Sequence, residues 1–507
     1  MAWLTCIVIG LALCGIDLFL KKKGEKIYLI FLFLLSIVPN MVVWGYLYVS
    51  HLCMKRDMFW VIFTTHAAES KEYIGDFISW EIFAINIIYL FLGVLFIVKA
   101  KAKSRHSIRV KKHLPLFVVS IAIVLTGIIL QYTVQAIPTF DFYKSRVLFW
   151  KANRVFEEEK EFRKNLKMNV ECSLPDSTDH VFIAILGEST STCHMSLYGY
   201  HRKTTPLMDA RSDELAVYTD VVTPDNHTFG AMQKILSFAD HKNPEYYRQK
   251  PSLVEIFNAA GFETYWISNK AALTKWGGSY GIIAQEAKHL YDLSSLETDD
   301  EIVLPSLDKA LTDPVGKNKI IFIHLMGNHH AYDCRYPEEY NHFNYERDRD
   351  LPDLGFRDDE MMEVIDEYDN SILYGDFVFS SILDRIKNEE KSSFLLFFSD
   401  HGEEVNDTRE ARGHFMSDVY PCQARIPFVF WQSEKYKEEM PGIVVDTSRP
   451  YNTENIIYSL STLSALRYND YNGTASIFSK EYIVPGKRLV GNEDYEKDIL
   501  PKIAPEN

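Results

Sequence analysis

Three short apolar runs, each ending abruptly in groups that bind metals, constrain this chain most. Residues 181–186 stop at Gly187 and Glu188, residues 320–326 stop just before His329 and His330, and residues 394–398 stop at Ser399, Asp400 and His401. Apolar runs of this length, interrupted only by His324, rich in β-branched and aromatic types and closed by turn residues, fit strands of a parallel sheet buried on both faces. Such a sheet lines up the carboxyl ends of its strands along one edge, where the ligands of open α/β folds bind. If the three strands share a sheet, Glu188, His329 or His330, and the Asp400–His401 pair converge on that edge, as a transition metal requires. Adjacent aspartate and histidine offer one oxygen and one imidazole nitrogen, a set suited to zinc ahead of Mn2+ or Mg2+.

From Val181 onward the pattern is strand, polar loop, helix, repeated. Residues 216–223 and 263–268 are expected strands, the second ending at Asn269, and residues 231–238 and 252–260 are expected helices. Residues 361–387 predict one long helix with Ile365, Tyr368, Ile372 and Leu373 as its apolar stripe, preceded by a polar, aromatic insertion between Cys334 and Arg357. This alternation predicts a mostly parallel central sheet flanked by helices over 180–507.

The first 137 residues are of another kind. Segments 3–20, 27–50, 82–98 and 114–137 carry one formal charge between them, Asp17 near a segment end. Each approaches or exceeds the roughly 17–25 residues that cross a bilayer core. Four such runs in so short a space predict a transmembrane domain over 1–137, with a polar and aromatic linker, including an amphipathic interfacial helix at 154–167, over 138–179. Lysines at 21–26 and seven Lys/Arg with no acid at 99–113 mark the cytoplasmic side. The amino terminus, the 51–81 loop and everything after residue 137 then lie outside. Segment 3–20 lacks the basic start and small-residue cleavage site of a signal peptide. In the outer loop, residues 59–73 fit either an interfacial helix or a solvated loop. The net charge of −15 excludes nucleic acid as a partner. Of seven cysteines, Cys53, Cys172, Cys193, Cys334 and Cys422 face the oxidising side, where disulfides are allowed but these spacings fix no connectivity.

A nucleophile is still needed, and Thr228 is the best placed. It follows a strand and opens a helix, whose positive end favours both an alkoxide and a phosphate. A threonine hydroxyl is too weak an acid to attack at neutral pH, and a coordinated divalent ion remedies that. The plain alternative is a helix N-cap. His414 can return to the same edge across a loop, or be an ordinary loop histidine.

The segments 187–190 (Gly-Glu-Ser-Thr), 196–200, 204–206 (Thr-Thr-Pro), 325–329, 335–337 and 399–403 (Ser-Asp-His-Gly-Glu) together resemble the membrane-bound phosphoethanolamine transferases of Gram-negative bacteria. These belong to the alkaline phosphatase/sulfatase-like superfamily. The resemblance runs from about residue 58 to the end, and residues 221–228 and 236–244 are especially similar to the branch that modifies heptose in the lipopolysaccharide core.

The resemblance implies a catalytic zinc on Glu188, Thr228, Asp400 and His401, with a second ion possible, and a covalent phosphoethanolamine on Thr228. It implies that His329 and His414 contact the phosphate or a second zinc and move protons. Asn269 and His330, on the same strand-end edge, are expected to contact substrate. Thr65 and Glu69 match the family's membrane-side motif for the lipid donor, although Val61 stands where the family often has asparagine. The implied reaction takes phosphoethanolamine from phosphatidylethanolamine of the inner membrane to a lipopolysaccharide hydroxyl in the periplasm, by a monomeric enzyme. Core heptose stands ahead of lipid A, whose branch carries several disulfides that these cysteines do not reproduce; a periplasmic glucan is a further acceptor. Rival readings are a phosphodiester hydrolase or glycerophosphate transferase of the same superfamily, and a metal-free scaffold. The sulfatase signature (Cys/Ser)-x-Pro-x-Arg is absent.

Overall fold

The computed structural model describes residues 22–50, 79–99, 141–147 and 168–502, the last with breaks at 271–277, 295–298, 352–353 and 415–417, and a few single positions before residue 168. The expected spans at 3–20 and 114–137, the loop with Thr65 and Glu69, and most of 154–167 lie outside the described residues. The chain divides into two compact units, Met1–Asn153 and Arg154–Asn507. That division falls inside the stretch 138–179 expected to be a linker.

In the first unit, helices α1 (Lys22–Ser50) and α2 (Trp80–Lys99) contain stretches of 23 and 20 residues long and apolar enough to cross a membrane. Three of their polar side chains pair across the two helices. The Tyr89 hydroxyl lies 2.9 Å from Ser36 Oγ and accepts from Asn40 Nδ2 at 2.9 Å.

The second unit is built on a seven-stranded sheet. In chain order the strands are β1 (His180–Gly187), β2 (Ala216–Val217), β3 (Glu263–Ser268), β4 (His289–Asp292), β5 (Asn318–His324), β6 (Ser392–Ser399) and β7 (Phe428–Gln432). Across the sheet they run β2-β7-β6-β1-β5-β3-β4. The five from β6 to β4 are parallel, whereas β7 and β2 pair antiparallel at one edge. The single strand expected over 216–223 is two pieces. Ala216–Val217 ends the main sheet, and after a bend Val221–Val222 pairs with Tyr451–Asn452.

Alternation along each strand divides the core into two layers. Phe182, Ala184 and Leu186 of β1 join Phe322, Phe394 and Phe398 against helices α3 (Thr228–Ile235), α4 (Leu253–Ala259) and a helix at Ile456–Leu463. Val181, Ile183 and Ile185 face the other way, with Ile323 and Leu395, against Leu304–Thr312 and the 29-residue helix Asp359–Lys387. Burial on both faces explains why the strands are continuously apolar rather than alternating. Helix α4 begins with a capping box of Ser252 and Glu255. Glu255 also accepts from the buried Arg163 at 2.8 Å, which fastens the chain entering this unit.

Candidate active site

The register of the sheet puts the functional side chains at one level. Gly187 pairs with Ser399 and Leu186 with His324, which in turn pairs with Ser268. The next residues, Glu188 and Asp400, therefore leave the sheet side by side, and Asn269 leaves it one residue lower and two strands away. Immediately after Glu188 the chain turns at Ser189, which adopts φ 55°, uncommon for a non-glycine residue. The turn is held by Tyr368 Oη donating to the Ser189 carbonyl at 2.6 Å and by Ser189 N donating to Asp400 Oδ1 at 3.2 Å.

Thr228 is the first residue of α3, and the cap position belongs to His227. Its hydroxyl lies 3.2 Å from each Glu188 carboxylate oxygen and 3.3 Å from His401 Nε2. Glu188, Asp400 and His401 are fully buried and each offers a ligand atom, all within 4.8 Å of one another. His401 Nδ1 lies 2.9 Å from the Gly402 carbonyl. A proton there leaves Nε2 as the free lone pair facing the cluster. The remaining oxygen, Asp400 Oδ2, is buried with no hydrogen-bond partner. Two carboxylates, an imidazole and a hydroxyl around an unsatisfied carboxylate oxygen fit a divalent cation such as zinc.

Electrostatics point the same way. Burial disfavours charge on Glu188, but Lys270 and then His401 hold its carboxyl well below the usual range. Burial and the Glu188 charge push Asp400 up to about 7. Against its own burial, His401 is raised to about 9 by Asp400 and Glu188. Packed carboxylates of which one is driven towards neutrality mark a place prepared for added positive charge.

The structure adds residues that the sequence did not single out. Lys270, directly after Asn269 and 4% exposed, pairs with Glu188 Oε2 and lies 3.4 Å from Thr228 Oγ1. Its only sequence signal is a lysine at the end of an apolar strand. Asn269, expected to contact substrate, donates its amide to Asp300 at 3.0 Å. Asp300 also accepts from the backbone of Met326 and Gly327, each at 2.8 Å, and so ties the end of β3 to the loop carrying His329.

His329 and His330 are neighbours in this loop, their rings 4.3 Å apart, with Arg335 donating to both carbonyls. Burial, then His330 and Lys270, hold His329 well below its ordinary value, and burial with Arg335 lowers His330 to about 3. Both imidazoles are thus neutral. His414 does return to the edge: its ring lies 4.2 Å from that of His401, and its Nδ1 is 2.9 Å from Glu403 Oε2. Glu403 Oε1 accepts from Tyr332 Oη at 2.8 Å. His401, Glu403 and His414 form a second cluster of ligand atoms within 4.8 Å. A disulfide joins Cys193 to Cys422.

Comparison with known proteins agrees with this geometry. Residues 180–465 match the sulfatase family. Phosphoethanolamine transferase CptA of Salmonella typhimurium is 30% identical over 483 residues, covering 88% of this chain and 81% of that protein. The crystal structure of the C-terminal periplasmic domain of EptC from Escherichia coli, in complex with Zn, superposes with a TM-score of 0.61 at 32% identity, over 66% of this chain and 96% of the other. The integral membrane lipooligosaccharide phosphoethanolamine transferase A (EptA) of Neisseria meningitidis shares the fold, with a TM-score of 0.67 at 20% identity, over 89% of this chain and 87% of the other.

Proposed function

Because the chain belongs to the sulfatase family and is one of its phosphoethanolamine transferases, we propose that it carries phosphoethanolamine from phosphatidylethanolamine, through a covalent intermediate on Thr228, to a heptose hydroxyl of the lipopolysaccharide core. The observation that carries this reading is the Thr228 hydroxyl at a helix N-terminus, within 3.3 Å of both Glu188 oxygens and His401 Nε2. Glu188, Thr228, Asp400 and His401 are the residues that would hold one zinc ion, with His401, Glu403 and His414 offering a second position. Bound there, zinc lowers the pKa of the threonine hydroxyl and neutralises phosphate charge.

The chain's own groups supply the rest. The N-terminus of α3 and the Lys270 ammonium offer positive charge to a phosphoryl group poised for attack by Thr228 Oγ1. Attack forms the Thr228 Oγ–P bond and breaks the P–O bond to diacylglycerol, while a histidine takes the proton that the Thr228 hydroxyl gives up and passes it to the leaving diacylglycerol oxygen. In the second half, an acceptor hydroxyl yields its proton and displaces Thr228 from phosphorus. His414 suits this proton transfer, because Glu403 holds its Nδ1 and leaves Nε2 to exchange the proton. His329, neutral and buried beside the site, is the alternative carrier. His330 and Asn269 border the substrate, Asn269 as a residue anchored by Asp300.

Helices α1 and α2 belong to a multi-pass inner-membrane domain of four spans, with Thr65 and Glu69 beside the lipid headgroup and the catalytic unit in the periplasm. In this reading the enzyme works as a monomer. Mass spectrometry of lipopolysaccharide from cells carrying the parent chain or Thr228→Ala tests the scheme. The parent should add a phosphoethanolamine to a core heptose and the variant should not. Addition by Thr228→Ala sinks the covalent mechanism, and addition to lipid A alone sinks the acceptor assignment.

A further inference from the structure

The turn that delivers Thr228 carries a second carboxylate which supplies none of the four candidate ligand atoms. His227 occupies the cap position of α3, yet its side chain makes no capping hydrogen bond; its Nδ1 instead sits 2.7 Å from Asp225 Oδ1. The same Asp225 oxygen accepts from Asn226 N at 3.1 Å. Asp225 Oδ2 is 2.8 Å from Lys234 Nζ, which also reaches the Gly230 carbonyl at 3.2 Å. A Cβ on Gly230 would stand 2.3 Å from Asp225 Oδ2, so the carboxylate lies directly against the first turn of the helix. It is 7% exposed. The Thr223 hydroxyl lies within hydrogen-bond reach of two carbonyls, that of Asp225 at 2.7 Å and that of Asp400. One buried carboxylate therefore faces the imidazole of the residue before Thr228, lies against the residue two after it and pairs with a lysine six after it, and its own backbone is tied to the strand end that presents Asp400.

We propose that Asp225, closed by Lys234, is a positioning residue for the transfer reaction: it fixes the first turn of α3 so that the Thr228 hydroxyl is held in line for attack. This rests on the reading of Thr228 as the nucleophile. The clamp orders the attacking group before substrate arrives, and displacements of about 1 Å in such a group can cost about a hundredfold in rate. Its loss therefore shows in kcat. Neither donor binding nor metal content depends on it, because Asp225 contributes to neither set of contacts named above.

The test uses full-length protein in detergent with labelled phosphatidylethanolamine, comparing the parent with Asp225→Asn, Lys234→Met, Lys234→Arg and Thr228→Ala. The readouts are kcat, KM and zinc per chain. Asp225→Asn should lose about tenfold to a hundredfold in kcat, with KM within about twofold and zinc content at the parent level. Lys234→Met should lose kcat in the same direction, and Lys234→Arg, which keeps a cation on Asp225, should recover most of it. Parental kcat in Asp225→Asn, or a defect confined to KM or zinc content, overturns the proposal. If Asp225→Asn does not purify as a folded protein the lysine pair decides, and equal kcat in Lys234→Met and Lys234→Arg overturns it. Activity surviving in Thr228→Ala would remove the nucleophile assignment itself. An inactive Thr228→Ala beside an unimpaired Asp225→Asn removes only the clamp.

Discussion

Replacing Lys270 by methionine separates what the ammonium does for the metal-free protein from what it does for the loaded one. Lys270 pairs with Glu188, the two side chains being 6% and 0% exposed. Removing one partner of a buried pair leaves an uncompensated charge, at about 3–5 kcal/mol. The lower end applies here, because His401, raised to about 9 by Asp400 and Glu188, stays beside Glu188 as a counter-charge. The metal-free variant should thus lose about 3 kcal/mol, which at about 2 °C per kcal/mol for a large domain lowers its Tm by about 6 °C. In the parent, a cation arriving at Glu188 must displace the ammonium, whereas in the variant there is nothing to displace. Closing the thermodynamic cycle, the stability lost by the metal-free form reappears as tighter zinc binding, about a hundredfold for about 3 kcal/mol. Chelator-treated parent and Lys270→Met protein are compared by thermal unfolding at pH 7.5, and zinc affinity is measured by competition with an indicator. Turnover should fall in the variant even as zinc binds more tightly. A metal-free variant as stable as the parent, or one that binds zinc no better, refutes the reasoning.

Two further outcomes follow from the surroundings of the site. A Cβ on Gly402, the residue after His401, would lie 2.1 Å from the Cys422 carbonyl and 3.0 Å from that of Arg425; Gly402→Ala should cost about 1–3 kcal/mol in chemical denaturation and lower the zinc content by shifting His401. His194 lies buried between Asp369 at 2.6 Å and Asp407 at 2.9 Å, and against its burial Asp407 and Asp369 raise it to about 10. Its folded value exceeds the unfolded one, so its stabilisation is complete below about pH 6.5 and is lost as pH rises towards about 10. Denaturation midpoints measured across that window should fall more steeply for the parent than for His194→Gln, and parallel curves would contradict this.

What the sequence disclosed and what it withheld divide along a physical line. The strands β1, β5 and β6 were legible because a strand buried on both faces must be apolar throughout, and the first polar residue after it must then stand at the ligand-binding edge. Glu188, Asp400 and His401 follow from that rule alone, and Thr228 from the rule that helix starts attract anions. The hydropathy of residues 27–50 and 82–98 likewise announces α1 and α2, which are long and apolar enough to cross a bilayer. Lys270, Asp300 and Asp225 gave no such sign. Each is defined by partners far along the chain or by a turn whose shape no local pattern encodes: Lys270 by Glu188, 82 residues away, Asp300 by Asn269, 31 away, and Asp225 by a glycine that leaves room for its carboxylate. The Cys193–Cys422 disulfide, 229 residues apart, and the antiparallel pairing of β7 on β6 are hidden for the same reason. Groups that must meet a metal carry their chemistry in their residue type and can be recognised singly. Groups that hold those ligands in place are ordinary charges, made meaningful only by the fold. Residue type alone therefore points to the candidate ligands of such a site while passing over the charges packed around them.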